Sequence, residues 1–324
     1  MTSSPDPRPF ACARAISLLH GLDFQLRRTL KTPDAAEVHD LRVATRRLTQ
    51  ALVIFESCLR GAPGIREKLE RPMELSGDVR DFDIALKILR RGRTGVSGKA
   101  VERIERERAK SQRALVEALG KIAKRGTLKA WRAKLASPHP KTAAAHSHAK
   151  DIKEDVKQAV SDAAGRFFDR GNHVHAAADS GSKDATPKHL SKSLHHLRIA
   201  TKELRYTLEL AIPPGASSPG ASSSDGLDRI VQLQSDLGDI HDFDPVHQIL
   251  SEYRSAGKLL ARLAKKQHKR IRAFREYWKV EFGGKKNRSE WMQRIAGIAD
   301  PLISSAPAAK RPAGVRKNLA TRAS

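Results

Sequence analysis

Two segments occur twice in this chain, in the same order and at nearly the same separation, and this constrains the fold more than any other feature. Residues 38–52 (VHDLRVATRRLTQAL) align with 194–208 (LHHLRIATKELRYTL), identical at seven of fifteen positions. Residues 77–89 (GDVRDFDIALKIL) align with 238–250 (GDIHDFDPVHQIL), identical at seven of thirteen. The offsets are 195 − 39 = 156 and 238 − 77 = 161, so two halves of comparable length carry the same elements. Two copies of one unit are expected to pack around a pseudo-two-fold axis.

The unit is helical. Alternation of β-branched with polar residues is absent over any useful length, while Leu, Ala, Arg, Glu and Lys recur at helical spacing. The expected class is all-α, with helices over 11–30, 37–59, 65–91, 98–135, 149–168, 188–211, 225–256 and 258–282, and a short one over 289–299. One duplicated domain is expected over 10–298, its halves at about 10–136 and 149–298. The polar, Pro-, Gly- or Ser-rich stretches 171–187 and 211–224 read as connections, and 1–9 and 304–324 as disordered termini.

In the first repeated segment Val38, Leu41, Thr45, Leu48, Leu52 and Phe55 follow 3-4-3-4-3 spacing, which stacks them on one helical face toward a core. One position further along run His39, Arg42, Arg46 and Thr49, matched in the second copy by His195, Arg198, Lys202 and Arg205. A row beside the apolar stripe lies at the edge of the packed face, where it can line a groove or cavity. A later helix in each half repeats the 3-4-3 pattern, with Arg103, Arg106, Lys110 and Arg113 matched by Arg262, Lys265, Lys269 and Arg272 at one offset of 262 − 103 = 159. A charge run of this kind is usually a solvated face; its recurrence at matched positions favours a shared, ligand-facing role.

The ligand these rows call for is a polyanion. Among 324 residues, 61 Lys+Arg against 36 Asp+Glu give 61 − 36 = +25 before any His is counted. Arg holds phosphate oxygens bidentately and Lys adds a mobile point charge, so a chain of phosphates can run along such a face. Aromatic residues make up only 5%, which argues against single-strand recognition by base stacking. Two cysteines, Cys12 and Cys58, are too few for a disulfide framework or a Cys-based zinc site and fit a reducing compartment. Neither a secretory signal nor an apolar run long enough for a membrane span is found, so a soluble, cytoplasmic protein is expected.

The acidic motif, Asp78/Asp81/Asp83 and Asp239/Asp242/Asp244, is read as pairing with arginines such as Arg42 and Arg198, or as capping helix breaks near Gly77 and Gly238, rather than as a metal site, because DxxDxD lacks the rest of a Ca²⁺ loop. Phe82 and Phe243 read as core anchors. His139, His146, His148, His173 and His175 lie in linker-like sequence without a metal-ligand framework. Neither a phosphate-binding GxxxxGK[ST] loop, a GxGxxG nor a GxSxG is present, and no nucleophile has a partnered base. The expectation is a binding protein with no catalytic residue, metal or cofactor.

The duplicated H-x-x-R-[VI]-A-T-[RK] and G-D-[VI]-x-D-F-D segments, followed by basic helices, resemble the CHAD family, the conserved-histidine α-helical domain, over about residues 10–297. The resemblance implies two pseudo-symmetric four-helix bundles around a basic cavity that binds inorganic polyphosphate, commonly at polyphosphate granules, without catalysis. It places the family's His and first basic residues at His39, Arg42 and Arg46, and at His195, Arg198, Lys202 and Arg205. Thr49 stands where a basic residue is usual and Glu203 replaces the partner of Arg47, so unequal binding by the two halves is expected. The N-terminal ExExK signature of the triphosphate-tunnel enzymes fused to some relatives is absent, which suits a stand-alone binding domain. A nucleic-acid-binding or nucleoid-organising module using the same basic surface is the second reading, and a metal-dependent phosphatase using the Asp motifs the third.

Overall fold

The computed structural model describes residues 8–91, 95–124, 126–137, 149–179, 187–211 and 221–304, and these are all-α, with no extended strand among them. The first half consists of α1 (Arg8–Lys31), α2 (Ala35–Ile54), α3 (Ala62–Arg90), α4 (Gly98–Ala123) and α5 (Thr127–Ala136). The second holds α6 (Ala149–Asp179), α7 (Pro187–Ala211), α8 (Ala221–His241), α9 (Phe243–Leu250), a 3₁₀ turn (Arg254–Ala256), α10 (Gly257–Glu281) and α11 (Gly284–Ser304). In the first half α1 packs on α2, α4 and α5, and α3 on α2 and α4. In the second α6 packs on α7, α10 and α11, and α8 on the same three helices.

The apolar stripe of α2 is core: Val38, Leu41, Thr45, Leu48, Leu52 and Phe55 are each no more than 4% exposed. Thr45 is tolerated there because its hydroxyl donates to the Leu41 carbonyl at 2.8 Å, and the matching Thr201 donates to Leu197 O at 2.8 Å. Asp34 starts α2 by accepting from the amides of Ala36 and Glu37, both at 2.9 Å. The core of the second half is more aromatic. Phe167, Phe168, Trp278, Phe282 and Trp291 interlock with ring centroids 4.8–6.4 Å apart. Burying each such ring contributes roughly 2–3 kcal/mol, so this cluster is a principal anchor of that half.

Several boundaries differ from expectation, each for a local reason. The helix expected over 98–135 is two helices, because Gly126 adopts φ +105° between α4 and α5, a backbone region that glycine tolerates and side chains rarely enter. The expected connection over 171–187 is helical as far as Asp179, and α6 buries Val174 and lays Gly171 against Trp278. His173 and His175 are therefore on a helix, whereas His139, His146 and His148 lie outside the described residues. Residues 180–186 and 212–220 of the expected connections, and 1–7 and 305–324 of the expected termini, also lie outside them. Arg8 and Ser304 belong to helices.

The repeated acidic motif also folds differently in its two copies. α3 runs unbroken through Gly77, so no helix break occurs there. In the second half the break falls at Asp242, not Gly238. Pro245 contributes to it by removing an amide donor and crowding the carbonyl four residues earlier, that of His241, although α3 carries Pro72 without a break. Ile84 occupies the matching position in α3 and lets that helix continue. The break frees α9 to pack across onto α3, where Ile84, Ala85, Leu86 and Leu89 meet Val246 and Leu250 in a second small core shared by the two halves.

A second junction joins the halves where α2 meets α7. There Arg47 Nε donates to Glu209 Oε2 at 2.9 Å and Gln50 Nε2 to Thr207 Oγ1 at 3.0 Å. Arg14 Nη2 adds a bond to the Glu209 carbonyl at 3.0 Å.

Candidate functional site

Between the halves α2, α3, α7 and α8 enclose a cavity of about 420 Å³, its cationic walls made by His39, Arg42, Arg46, Arg80, Arg198, Lys202 and Arg205. Asp81, Asp239 and Asp242 are the carboxylates among its lining residues. It shares Arg46, Lys202 and Tyr206 with a neighbouring hollow of about 410 Å³, and Arg80, Asp239 and Asp242 with another of about 700 Å³. The larger hollow adds Lys87, Arg90, Arg91, Lys266 and Arg270, so positive charge continues from the cavity toward that side.

The cavity's cations are held in different ways. Arg42 Nη1 donates to the Met73 carbonyl and to Ser76 Oγ, both at 2.9 Å. Gly77 makes room for it, since a Cβ there would lie 3.2 Å from Nη1. Arg198, its match, has a buried Nε with no partner among the described residues. Arg205 is tied to Glu209 Oε1 at 2.7 Å and lies over the Tyr206 ring. These differences follow from sequence: the positions matching Met73 and Ser76 are Gln234 and Leu237, which provide no hydroxyl for Arg198.

Crowding of like charge away from water shows in the protonation equilibria. Lys202 is pushed down to about 5, by burial first and then by the charges of Arg198, Arg46 and Arg42. Arg42 is lowered to about 10 by burial and by Arg46, with Asp81 opposing. Arg198 is lowered by burial and by Arg46. Burial raises Asp81 to about 6 against the pull of Arg42, and Asp242 is raised likewise. His39 and His241 are lowered, His241 to about 4, with burial the main cause for both. Burial and crowding thus disfavour the charged forms of Lys202, His241, Asp81 and Asp242 alike in this cavity.

Of the fifteen residues singled out in the sequence, six line this cavity: His39, Arg42, Arg46, Arg198, Lys202 and Arg205. His195 instead lines a separate, smaller pocket, where its ring lies 5.1 Å from that of His241. The α4 and α10 rows do not line the cavity. Arg103, Arg106, Lys110, Arg113, Arg262, Lys265, Lys269 and Arg272 are all exposed, and the last four border an open groove along α10. The reason is packing: α4 turns Ile104, Leu115 and Leu119 to the cores and leaves its cations in solvent.

Arg80 was not singled out, although it lines the cavity and its match His241 lines both the cavity and the pocket. The signal was present, as both sit at the variable position of G-D-[VI]-x-D-F-D. The expected pairing of the acidic motif with Arg42 and Arg198 is electrostatic rather than direct contact; the ion pairs formed are Asp83 with Arg108 at 2.7 Å and Asp239 with Arg270. Phe243 is buried and Phe82 partly so, in agreement with their reading as anchors. Arg47 reaches across to Glu209, while Glu203 faces Arg166 on α6 at 2.7 Å, so neither completes the other's pattern. Among the described residues no cluster of three His, Cys, Asp or Glu side chains is placed to hold a metal ion. No helix among them is long and apolar enough to cross a membrane.

A family model described as the CHAD domain matches residues 15–251. Among solved structures the chain is similar to the crystal structure of the CHAD domain from the plant Ricinus communis, at 17% identity and a TM-score of 0.56, with 92% of this chain and 93% of that one covered. It is also similar to PptA from Streptomyces chartreusis, at 18% identity and a TM-score of 0.54, covering 90% of this chain and 100% of the other. At these identities the likeness establishes a shared fold. No curated protein matches.

Proposed function

The chain belongs to the CHAD domain family, and from that premise we propose that it binds inorganic polyphosphate in the cavity between its halves, without turning it over. The observation that carries this reading is the convergence of Arg42, Arg46, Arg198 and Lys202, from two helices 156 residues apart in register, on one space where burial and neighbouring cations lower the proton affinity of Arg42, Arg198 and Lys202. Guanidinium groups meet phosphate oxygens in a fixed fork, and seating polymer beside Lys202 recharges its amine. A cavity of about 420 Å³ favours a slim phosphate chain over a duplex.

The test is calorimetric titration with long-chain polyphosphate at about 0.15 M salt, where surface attraction is screened beyond ~8 Å, with duplex DNA and RNA as competitors. Selective binding that resists both competitors is expected. A nucleic-acid-binding reading draws support from the exposed rows on α4 and α10, which form an accessible cationic surface outside the cavity. It predicts equal competition and a steep salt dependence. Incubation with polyphosphate and Mg²⁺ or Mn²⁺ tests for turnover: no phosphate release is expected, and release abolished by Asp81→Ala or Asp242→Ala would establish a phosphatase instead. A fluorescent fusion that collects on polyphosphate granules is the expected cellular behaviour, with diffuse signal counting against granule targeting.

A further inference from the structure

The two halves treat one repeated aspartate differently, and the difference leaves a pocket. In the first half Asp83 Oδ1 accepts from Arg108 Nε at 2.7 Å. Arg108 extends further, donating to the Pro33 carbonyl at 3.3 Å and to Gln112 Oε1, so its side chain fills the space between α3, α4 and the start of α2. In the second half Asp244 matches Asp83, and Gln267 matches Arg108. The same oxygen is used, Gln267 Nε2 donating to Asp244 Oδ1 at 2.8 Å, but the donor is a neutral amide on a shorter side chain. The hydroxyl of Ser191, where the first half has Ala35, donates to Asp244 Oδ2 at 2.8 Å. No ion pair to Asp244 is formed among the described residues.

Where Arg108 lies in the first half, the second has a separate pocket of about 210 Å³. Asp244, Ser191 and Gln267 form its polar end, and Leu260, Leu263 and Ile271 give it an apolar wall. Ile271 replaces Gln112, the partner of the Arg108 guanidinium, which makes this pocket more apolar than the space it matches. Four imidazoles, from His195, His241, His247 and His268, also line it.

We propose that this pocket binds a small organic cation, an alkylammonium or alkylguanidinium whose charged head pairs with Asp244 and whose short chain lies along Leu260, Leu263 and Ile271, in the place that Arg108 takes in the other half. The ligand class is set by the protein's own side chain: a guanidinium on a three-carbon stem is what the matched carboxylate holds. The site is separate from the phosphate cavity, although His241 lines both.

The experiment titrates the full-length protein with n-butylguanidinium and n-butylammonium, by calorimetry and by thermal unfolding. Saturable binding to the wild type and a rise in Tm with probe are expected. Gln267→Arg supplies the cation from within, so it raises Tm without probe and abolishes binding. Asp244→Asn keeps the side-chain shape and weakens binding by about tenfold or more, the value of a charge-assisted hydrogen bond. Absence of saturable binding to the wild type overturns the proposal, as does binding that survives unchanged in Asp244→Asn.

Discussion

The two halves present three matched basic positions to the cavity and arm them differently, and each adds one the other lacks, His39 in the first and Arg205 in the second. The first contributes Arg42, Arg46 and Arg80; the second contributes Arg198, Lys202 and His241 at the matching places. Arg42 is fixed by a carbonyl and a hydroxyl of its own half, whereas the Nε of Arg198 is buried with no partner among the described residues. In the second half Arg198 stands beside Lys202 at about 5 and His241 at about 4, both neutral near pH 7. On the proposed reading the first copy supplies only arginines at the three matched positions, while in the second Lys202 gains charge when an anion arrives.

The largest effect should break the second half alone. Gly171→Ala would put a Cβ 1.8 Å from Trp278 Cζ2, inside the aromatic cluster, and should cost about 3 kcal/mol, read as a lower urea midpoint. The next comparison separates anchoring from binding. Arg42→Ala should lower both polyphosphate affinity and stability, the latter by about 1–2 kcal/mol through loss of its bonds to Met73 and Ser76. Arg198→Ala should lower affinity by a similar factor while the urea midpoint stays constant or rises, because a largely buried guanidinium whose Nε has no hydrogen-bond partner among the described residues is removed.

The third prediction concerns protons. Anion binding favours the charged form of Lys202, so at pH 7 binding should draw in up to one proton, seen as a dependence of calorimetric heat on buffer ionisation enthalpy. Affinity should rise as pH falls from 8 to 6, and Lys202→Arg should flatten that slope. The sign for folding is opposite. Between about 5 and 10.5 the unfolded chain holds the Lys202 proton that the folded chain lacks, so this group makes stability rise with pH across that window. Protonation of Asp81, raised to about 6, works the other way between 3.8 and about 6, because there the folded chain holds the extra proton. The smallest contrast is at the repeated glycine. Gly77→Ala crowds Arg42 at 3.2 Å and should weaken binding a few-fold, whereas Gly238→Ala meets nothing within 4 Å and should stabilise α8 by about 0.5–1 kcal/mol. Both are read from chemical denaturation alongside binding.

What was legible in the sequence was periodicity. The 3-4-3 stripe of α2 gave its core face and the row beside it, because burial on one side fixes what lies at the edge. The same spacing misplaced α4 and α10, since an equally regular row forms on a solvated face and spacing carries no sign for inward or outward. Arg80 carries no repeated signature because its match is His241, so the shared position is filled by two different residue types. The helical turns after residue 170 were hidden by polar residues, although Gly171 and Val174 continue the buried series of Val160, Ala164 and Phe167. Pro245 marked the break in the second motif more directly than Gly238 did. The pairing of α9 with α3 depends on that break and on contact between distant segments, which no local pattern encodes.

The most direct measurement compares two variants of the full chain for affinity to polyphosphate at about 0.15 M salt. One removes the cavity cations, Arg42→Ala with Arg198→Ala; the other reverses the exposed rows, Arg106, Lys110, Lys265 and Lys269 all to Glu. The cavity variant should lose about a hundredfold in affinity with helicity kept, and the surface variant only a few-fold together with part of its salt dependence. The reverse outcome, binding lost with the surface rows and retained without the cavity arginines, would contradict the assignment of the polymer to the space between the halves.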